Sequence, residues 1–316
     1  MTVFGFIAAR KAEHAVKTMC HVLGVSRSGF HAWERREPSA RRREDERLLE
    51  RIREIHALNR RVYGSPRIHA ELRMADGVRI ARKRVERLMR EAGISGLVAK
   101  KRGKTTIRVP GVRVCEDLVD RGFLAAAPDR LWVADITYLR TWEGWLYLVA
   151  VQDIFSRRIV GWSMADHMRA ELVTDALGMA LAHRRPAPGL IWHSDQGSQF
   201  VSLAFGQQAR AAGIAQSMGS RGDCFDNAVA ETFFATLKKE LIHRRSWPDR
   251  AELRTEVFDY IEVFYNRQLR HKTLGQISPA DFENIALSTR GADLAASRLA
   301  SPQTMRFTAP TTTGTA

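Results

Sequence analysis

Residues 131–164 read LWVADITYLRTWEGWLYLVAVQDIFSRRIVGWSM. Three β-branched or aromatic runs, 131–140, 145–153 and 158–164, are separated only by turns at Glu143-Gly144 and Phe155-Ser156-Arg157. Joined this tightly, they predict consecutive antiparallel strands. The pattern then alternates: a helix around 171–182, an apolar strand at 190–193, a helix around 203–212 and a short strand at 215–218. Long helical patterns follow over 227–241 and 250–266. Together these elements predict an α/β fold, a mixed five-stranded sheet flanked by helices.

Upstream the pattern is helical throughout. The first 40 residues read as a helix ending at Leu23-Gly24, a tight turn, and a second helix capped by Ser26 and carrying Phe30 and Trp33, the punctuation of a helix-turn-helix. After the break at Glu37-Pro38-Ser39, an amphipathic helix over 45–58 presents Leu48, Leu49, Ile52, Ile55 and His56 at helical spacing. Ser65 and Pro66 open a short helix with Ile68 and Leu72, Ser65 as its cap, and Gly77 ends it. Ala81, Val85, Leu88, Met89 and Ala92 then mark a buried stripe, opposite a face of Arg79, Arg82, Lys83, Arg87 and Arg90. A basic last helix of this kind suits a DNA groove. Lys100-Lys101-Arg102-Gly103-Lys104 reads as a basic linker.

The charge has the same division. The 316 residues hold 50 Lys+Arg against 35 Asp+Glu, a formal charge of +15. Residues 1–110 hold 27 basic and 12 acidic residues, and 111–316 hold 23 of each. The surplus therefore points to a polyanionic partner for the helical region, attached to a neutral unit with another task. The expected organisation is an N-terminal helix-turn-helix segment (1–40), a basic DNA-binding unit (41–98), a linker (99–125), a catalytic unit (126–285) and a disordered tail (286–316).

The composition excludes other classes. Cys20, Cys115 and Cys224 are too few and too scattered for a disulfide framework or a zinc site, which fits a reducing interior. No stretch has the apolar length of a membrane span, and no phosphate-binding GxxxxGK[ST] loop implies ATP. A cytoplasmic, nucleoid-associated protein is expected.

Three carboxylates stand where strand or helix interiors normally avoid them. Asp135 sits inside the apolar first strand, Asp195 ends the apolar strand before it, and Glu231 lies in the helix that begins near Asp226-Asn227. A buried carboxylate needs a cation or donors, and hard oxygen ligands converging from different elements suit Mg²⁺ or Mn²⁺. A strand-end Asp also serves as a turn cap, and a helical Glu as a solvated residue. The flanking residues decide between these readings: WVADITY at 132–138, HSDQGSQF at 193–200 and DNAVAETFFATLKKE at 226–240, with 35 residues between Asp195 and Glu231.

With YNR at 265–267, SPADFE at 278–283, LGVSRSGFHAW at 23–33 and YGSPRIHAEL at 63–72, the chain resembles the bacterial insertion-sequence transposases of the DDE class, OrfB-type subunits with a core like that of retroviral integrases. The resemblance covers roughly residues 1–283. It implies an RNase H-like core with Asp135, Asp195 and Glu231 as catalytic residues and ligands of Mg²⁺ or Mn²⁺, two ions in all. It further implies 3′-end cleavage and strand transfer on double-stranded DNA, a homo-oligomer on paired ends, and an OrfA partner or frameshift fusion. Lys238, seven residues after Glu231 and on the same helical face, is implied to touch the element's end. Asn227, Arg79, Arg82, Lys83, Arg87, Lys101 and Arg102 are the further candidate DNA contacts.

Other residues have plainer readings. Asp153 reads as a turn residue, Asp226 and Asn227 as caps, Trp132 as core, Gly197 and Gly222 as turn glycines, and His193 and His271 as structural or phosphate-contacting. Rival functions are a DNA-binding regulator or inactive relic, a nuclease of the same fold, and a tyrosine recombinase. The last is disfavoured because all five tyrosines precede Arg270-His271.

Overall fold

The computed structural model describes residues 2–97, 125–195, 197, 199–218 and 228–288. Asp226, Asn227, Gly222, Lys101 and Arg102, the basic linker at 100–104 and the tail from 289 lie outside the described residues.

The chain opens with three short helices, α1 (Val3–Arg10), α2 (Val16–Val22) and α3 (Arg27–Glu34). The expected single helix up to Leu23-Gly24 is therefore two. Ile7, Met19, Cys20 and Phe30 share one buried cluster. A continuous helix would hold Ile7 and Met19 about 18 Å apart along its axis. Breaking it lets both reach Phe30. The second turn matches the expectation: Gly24 has φ +64°, and the Gly29 N–H donates to Ser26 Oγ at 3.1 Å.

Next come α4 (Ala40–Leu58), α5 (Ser65–Met74) and α6 (Arg82–Glu91). Ser39 caps α4 by accepting from the Arg42 N–H at 3.2 Å, so this helix starts before the expected residue 45. Gly64, not Ser65, is the cap of α5, and Ser65 Oγ instead lies 3.4 Å from Glu86 on α6. Val85, Leu88 and Met89 are buried as the stripe predicts, whereas Ala81 is the exposed cap residue.

The sheet consists of β1 (Leu131–Thr141), β2 (Gly144–Asp153), β3 (Ile159–Ala165), β4 (Ile191–Ser194) and β5 (Ala215–Met218), in the order β3-β2-β1-β4-β5. The first three are antiparallel; β4 runs parallel to β1, and β5 parallel to β4. This is the RNase H-like arrangement. The helices α7 (Ala170–Arg184) and α8 (Leu203–Ala211) supply the crossovers that parallel pairing needs.

Strand alternation divides the core. Trp132, Ala134, Val149 and Val151 pack with Leu172, Val173, Ala176 and Leu177 of α7. Leu139, Leu146, Leu148 and Ala150 face α9 (Ala228–Glu240) through Phe233, Phe234 and Leu237. The second cluster continues without a break into Ile52, Tyr63, Ile68, Leu72 and Val85, so the basic helices share a core with the sheet. Tyr63 Oη donates to the Gln268 carbonyl and accepts from the Arg270 N–H, both at 3.0 Å. Arg270 forks onto Glu71 at 2.6 and 2.8 Å.

The long helix expected over 250–266 is α-helical only through α10 (Arg250–Asp259). It widens to π-helical geometry at Tyr260–Tyr265, where Tyr260, Phe264 and Tyr265 are all buried against one another. The final helix is α11 (Pro279–Leu287). Its Glu283, from the SPADFE motif, is buried and binds Ser156 at 2.7 Å and both Arg158 and Arg184 at 2.8 Å. Among the described residues no helix is long and apolar enough to cross a membrane.

β3 and α7 touch through Gly161, where an added Cβ would stand 2.4 Å from the Ala176 carbonyl oxygen. Gly161→Ala should destabilise the fold by about 1–3 kcal/mol, lowering the midpoint of urea unfolding. An unchanged midpoint would contradict this packing.

Candidate active site

Two of the three carboxylates are brought together by strand register. β1 and β4 pair in parallel at Leu131↔Ile191, Trp132↔Trp192 and Val133↔His193. Continued by two residues, this register sets Asp135 beside Asp195. Neighbouring strands lie about 4.8 Å apart, so two carboxylates at matched positions are close neighbours. β4 stops at Ser194 while β1 runs on to Thr141, which opens β1's edge. A cavity of about 640 Å³ occupies the opening, lined by both aspartates with Tyr138, Tyr147, Gly197 and Gln199.

The loop after β4 is held from both sides. Phe200 is buried beside Trp192 and Phe205, and the Gln199 amide donates to the Met168 carbonyl at 3.0 Å. The Gly197 N–H donates to Asp195 Oδ1 at 3.1 Å, and a Cβ at Gly197 would come within 3.0 Å of that same oxygen. Glycine there leaves the carboxylate room.

Glu231 is in the first turn of α9, exposed, while Phe233, Phe234 and Leu237 bury the other side of the helix. Its charge reaches Asp135. Burial pushes the Asp135 carboxyl up to about 7, and the charges of Asp195 and Glu231 add to this. The Ile136 N–H, 2.7 Å from Oδ1, and the Lys238 ammonium act in the opposite direction. Lys238 lies 5.1 Å from the Tyr138 ring; burial lowers its own pKa, and Asp135 opposes that shift. Asp135, Asp195, Glu231 and Lys238 thus act on one region. Among the described residues no three carboxylate, imidazole or thiol groups are closed tightly around one point.

Asp153 is fully buried away from the cavity. It accepts from the backbone N–H groups of Asp129, Phe155 and Ser156 at 2.7, 2.8 and 3.2 Å, and burial pushes it up to about 6. That is a turn-holding role. Trp132 is core, its indole N–H donating to Asp129. His193 is buried, 3.0 Å from Ser217 Oγ. His271 packs edge-on against Tyr265, and burial lowers it to about 4, so it stands neutral. Neither histidine lines the cavity.

On α6 and before it, Arg79, Arg82 and Lys83 are exposed, Arg82 pairing with Glu86 at 3.1 Å. Arg87 departs from the expected free basic face. It turns to Asp45 of α4 at 2.6 Å and to Glu91 at 3.0 Å, because α4 packs against that side of α6. The aromatic tip of the β1–β2 hairpin, Trp142 and Trp145, escaped the sequence reading. Its signal was two tryptophans flanking Glu-Gly, at a turn that no core encloses.

Known proteins are similar to this chain over most of its length. Family models described as "Integrase core domain" match residues 125–224 and 231–287, and one described as "HTH-like domain" matches 43–102. The insertion element IS600 uncharacterized 31 kDa protein of Shigella sonnei is 41% identical over 264 residues, 84% of this chain and 97% of that protein. Transposase InsF for insertion sequence IS3A of Escherichia coli strain K12 is 40% identical over 281 residues, 88% of this chain and 97% of that protein. Among solved structures, a simian T-cell lymphotropic virus intasome in complex with PP2A regulatory subunit B56 gamma aligns with a TM-score of 0.41 and 14% identity, covering 73% of each chain.

The raised Asp135 has a consequence for stability. Its ordinary value is 3.8 and its folded value about 7, so between them the folded state holds a proton that the unfolded state has released. Stability therefore falls as pH rises through this window, with the full penalty above pH 7 and none below 3.8. Asp135→Asn should raise the thermal midpoint by several degrees at pH 8 in metal-free buffer and lose that gain near pH 4. An equal gain at both pH values would contradict the buried, charge-crowded setting.

Proposed function

The chain belongs to the insertion-element transposases built on an integrase core domain, and from that premise we propose that Asp135, Asp195 and Glu231 carry its chemistry on DNA as a metal-dependent polynucleotidyl transferase. The observation that supports this most directly is the parallel register at Val133↔His193, which sets two carboxylates side by side at the rim of a cavity.

The donor set fits a hard divalent cation. Asp135 is partly buried with two other carboxylates acting on it, a crowding that a cation relieves. Asp135 within β1 and Asp195 just after β4 would hold Mg²⁺ or Mn²⁺, and Glu231 would complete the set from α9. Held there, such ions would supply activation of the attacking oxygen and charge stabilisation of the leaving oxygen in a displacement at phosphorus. Lys238, on Glu231's helical face, would hold a phosphate of the element's end against this site. Water would attack the phosphodiester at that end and break its P–O3′ bond to leave a 3′ hydroxyl; that hydroxyl would then attack a target phosphodiester, forming a new P–O bond as the target strand's own 3′ oxygen leaves, with no covalent protein intermediate.

Residues 41–98 would hold double-stranded DNA through Arg79, Arg82 and Lys83. Lys101, Arg102 and Asn227 join the proposal from the sequence. The shared core between these helices and the sheet supports a reading in which one body holds and cuts DNA, with 126–285 as its catalytic part. The assembly would be a homo-oligomer on paired ends, with OrfA as partner or fused segment.

Wild-type protein with labelled element-end DNA in Mg²⁺ should yield 3′-end cleavage and joined products. EDTA should abolish both, and Glu231→Gln should lower both by roughly 10³-fold. Joining that survives either treatment would sink the proposal. For binding, Arg79→Ala with Lys83→Ala should reduce the slope of log K against log salt by about 2. Arg87→Ala, whose guanidinium is committed to Asp45, should lower thermal stability and leave that slope nearly unchanged. Equal slopes for the double variant and wild type would remove α6 from the DNA interface.

A further inference from the structure

The β1–β2 hairpin ends in a two-residue turn, Trp142-Glu143, followed by Gly144 at φ +116°. Trp247 and Arg250 hold the turn through three hydrogen bonds. The Trp142 N–H donates to the Trp247 carbonyl at 3.0 Å, the Arg250 N–H to Glu143 Oε2 at 2.9 Å, and Arg250 Nε to the Trp145 carbonyl at 3.1 Å. The side chains at this fixed tip are nevertheless in water. Trp142 is 76% exposed, Tyr138 60% and Trp145 43%. Large aromatic faces held rigidly in solvent serve recognition better than folding.

Cations are interleaved with these rings. The Arg140 guanidinium lies 5.8 Å from the Trp145 ring and the Lys238 ammonium 5.1 Å from the Tyr138 ring, with Tyr138 and Trp145 edge-on at 5.1 Å. They border a groove of about 560 Å³ whose lining also includes Trp142, His243 and Arg245; among the described residues none of the lining is acidic. Arg245 is committed to Glu252 at 2.6 Å, which leaves Arg140 and Lys238 as its cations without an ion-pair partner among the described residues. Tyr138 and Trp145 also line the cavity that holds Asp135 and Asp195, so the two spaces adjoin. From Asp135 to Tyr138 is three strand residues, about 10 Å.

We propose that this hairpin face, Tyr138, Trp142 and Trp145 with Arg140 and Lys238, binds unpaired DNA strand beside the catalytic carboxylates by stacking its bases. A duplex hides base faces inside its stack and presents only phosphates and groove edges. A single strand offers flat apolar rings together with a phosphate backbone, and aromatic side chains with interleaved cations match both. The inference rests on the polynucleotidyl-transferase reading: a strand opened at the cut site passes from the carboxylates onto this face.

The test uses the full-length protein and fluorescence anisotropy. The probes are oligo(dT) of about twelve nucleotides, within the usual range of single-strand sites, and a fully paired duplex of the same length. Trp142→Ala should weaken oligo(dT) binding about 10-fold and leave duplex binding within about twofold, while Trp142→Phe should retain most of the affinity. The exposed position predicts an unchanged thermal midpoint for both variants. Unchanged oligo(dT) affinity, or equal weakening on both probes, would overturn the inference. So would an altered oligomeric state in sedimentation with oligo(dT) binding intact, since the face would then be a contact between copies. Asp195→Asn separates this inference from the catalytic reading. Joining that survives this substitution, alongside Trp142-dependent binding of oligo(dT), would sink the catalytic assignment and leave the binding face standing.

Discussion

Two aspartates held side by side where β4 leaves the sheet and β1 runs on are the constraint around which the fold is arranged. The pairing of β1 with β4 is only three residues long, and Asp135 and Asp195 follow it at matched positions. Such a pair is unfavourable by itself, and the surrounding core bears that cost. Trp132, Val133 and Trp192 are buried immediately before the carboxylates, and Phe200 and Phe205 lock the loop that follows. The early end of β4 opens the edge of β1 and turns the register into a cavity.

The other elements serve this arrangement at increasing distance. α9 lays Phe233, Phe234 and Leu237 on the sheet, and by helical spacing this sends Glu231 and Lys238 along one face toward Asp135. Glu283 of α11 gathers Ser156, Arg158 and Arg184 behind the sheet, and Asp153 holds the turn between β2 and β3 through backbone N–H groups. Both are buried carboxylates, yet their neighbours are arginines and amide donors. Asp135 has a single amide donor, at Ile136, and lines an open cavity together with Asp195. That openness supports the proposal of a metal site at Asp135 and of structural roles for the other two.

Much of this was legible from the residues. The three strands and their turns followed from side-chain type, and strand β5 falls on its expected bounds of 215–218. The candidate acids stood out because each interrupts an apolar or helical pattern, and the motifs around them carried the family resemblance. Long-range packing was not legible. Nothing local marks the break between α1 and α2, which exists so that Ile7 and Met19 both reach Phe30. Nor does helical spacing reveal that Arg87 faces Asp45 on a neighbouring helix, or that Tyr260, Phe264 and Tyr265 widen their helix. The exposed hairpin tryptophans were hidden for a related reason. Aromatic residues in a strand normally signal core, and only the tertiary arrangement shows which of them lack a covering layer.

We propose that the register of β1 and β4 builds a divalent-cation site from Asp135 and Asp195. Crystals of the full-length protein soaked in Mn²⁺, measured for anomalous scattering, test it most directly. The expected result is an anomalous peak between these two carboxylates, with Glu231 drawn toward it. Well-ordered Asp135 and Asp195 side chains with no peak between them, or Mn²⁺ bound only elsewhere on the chain, would rule out a cation site at these carboxylates.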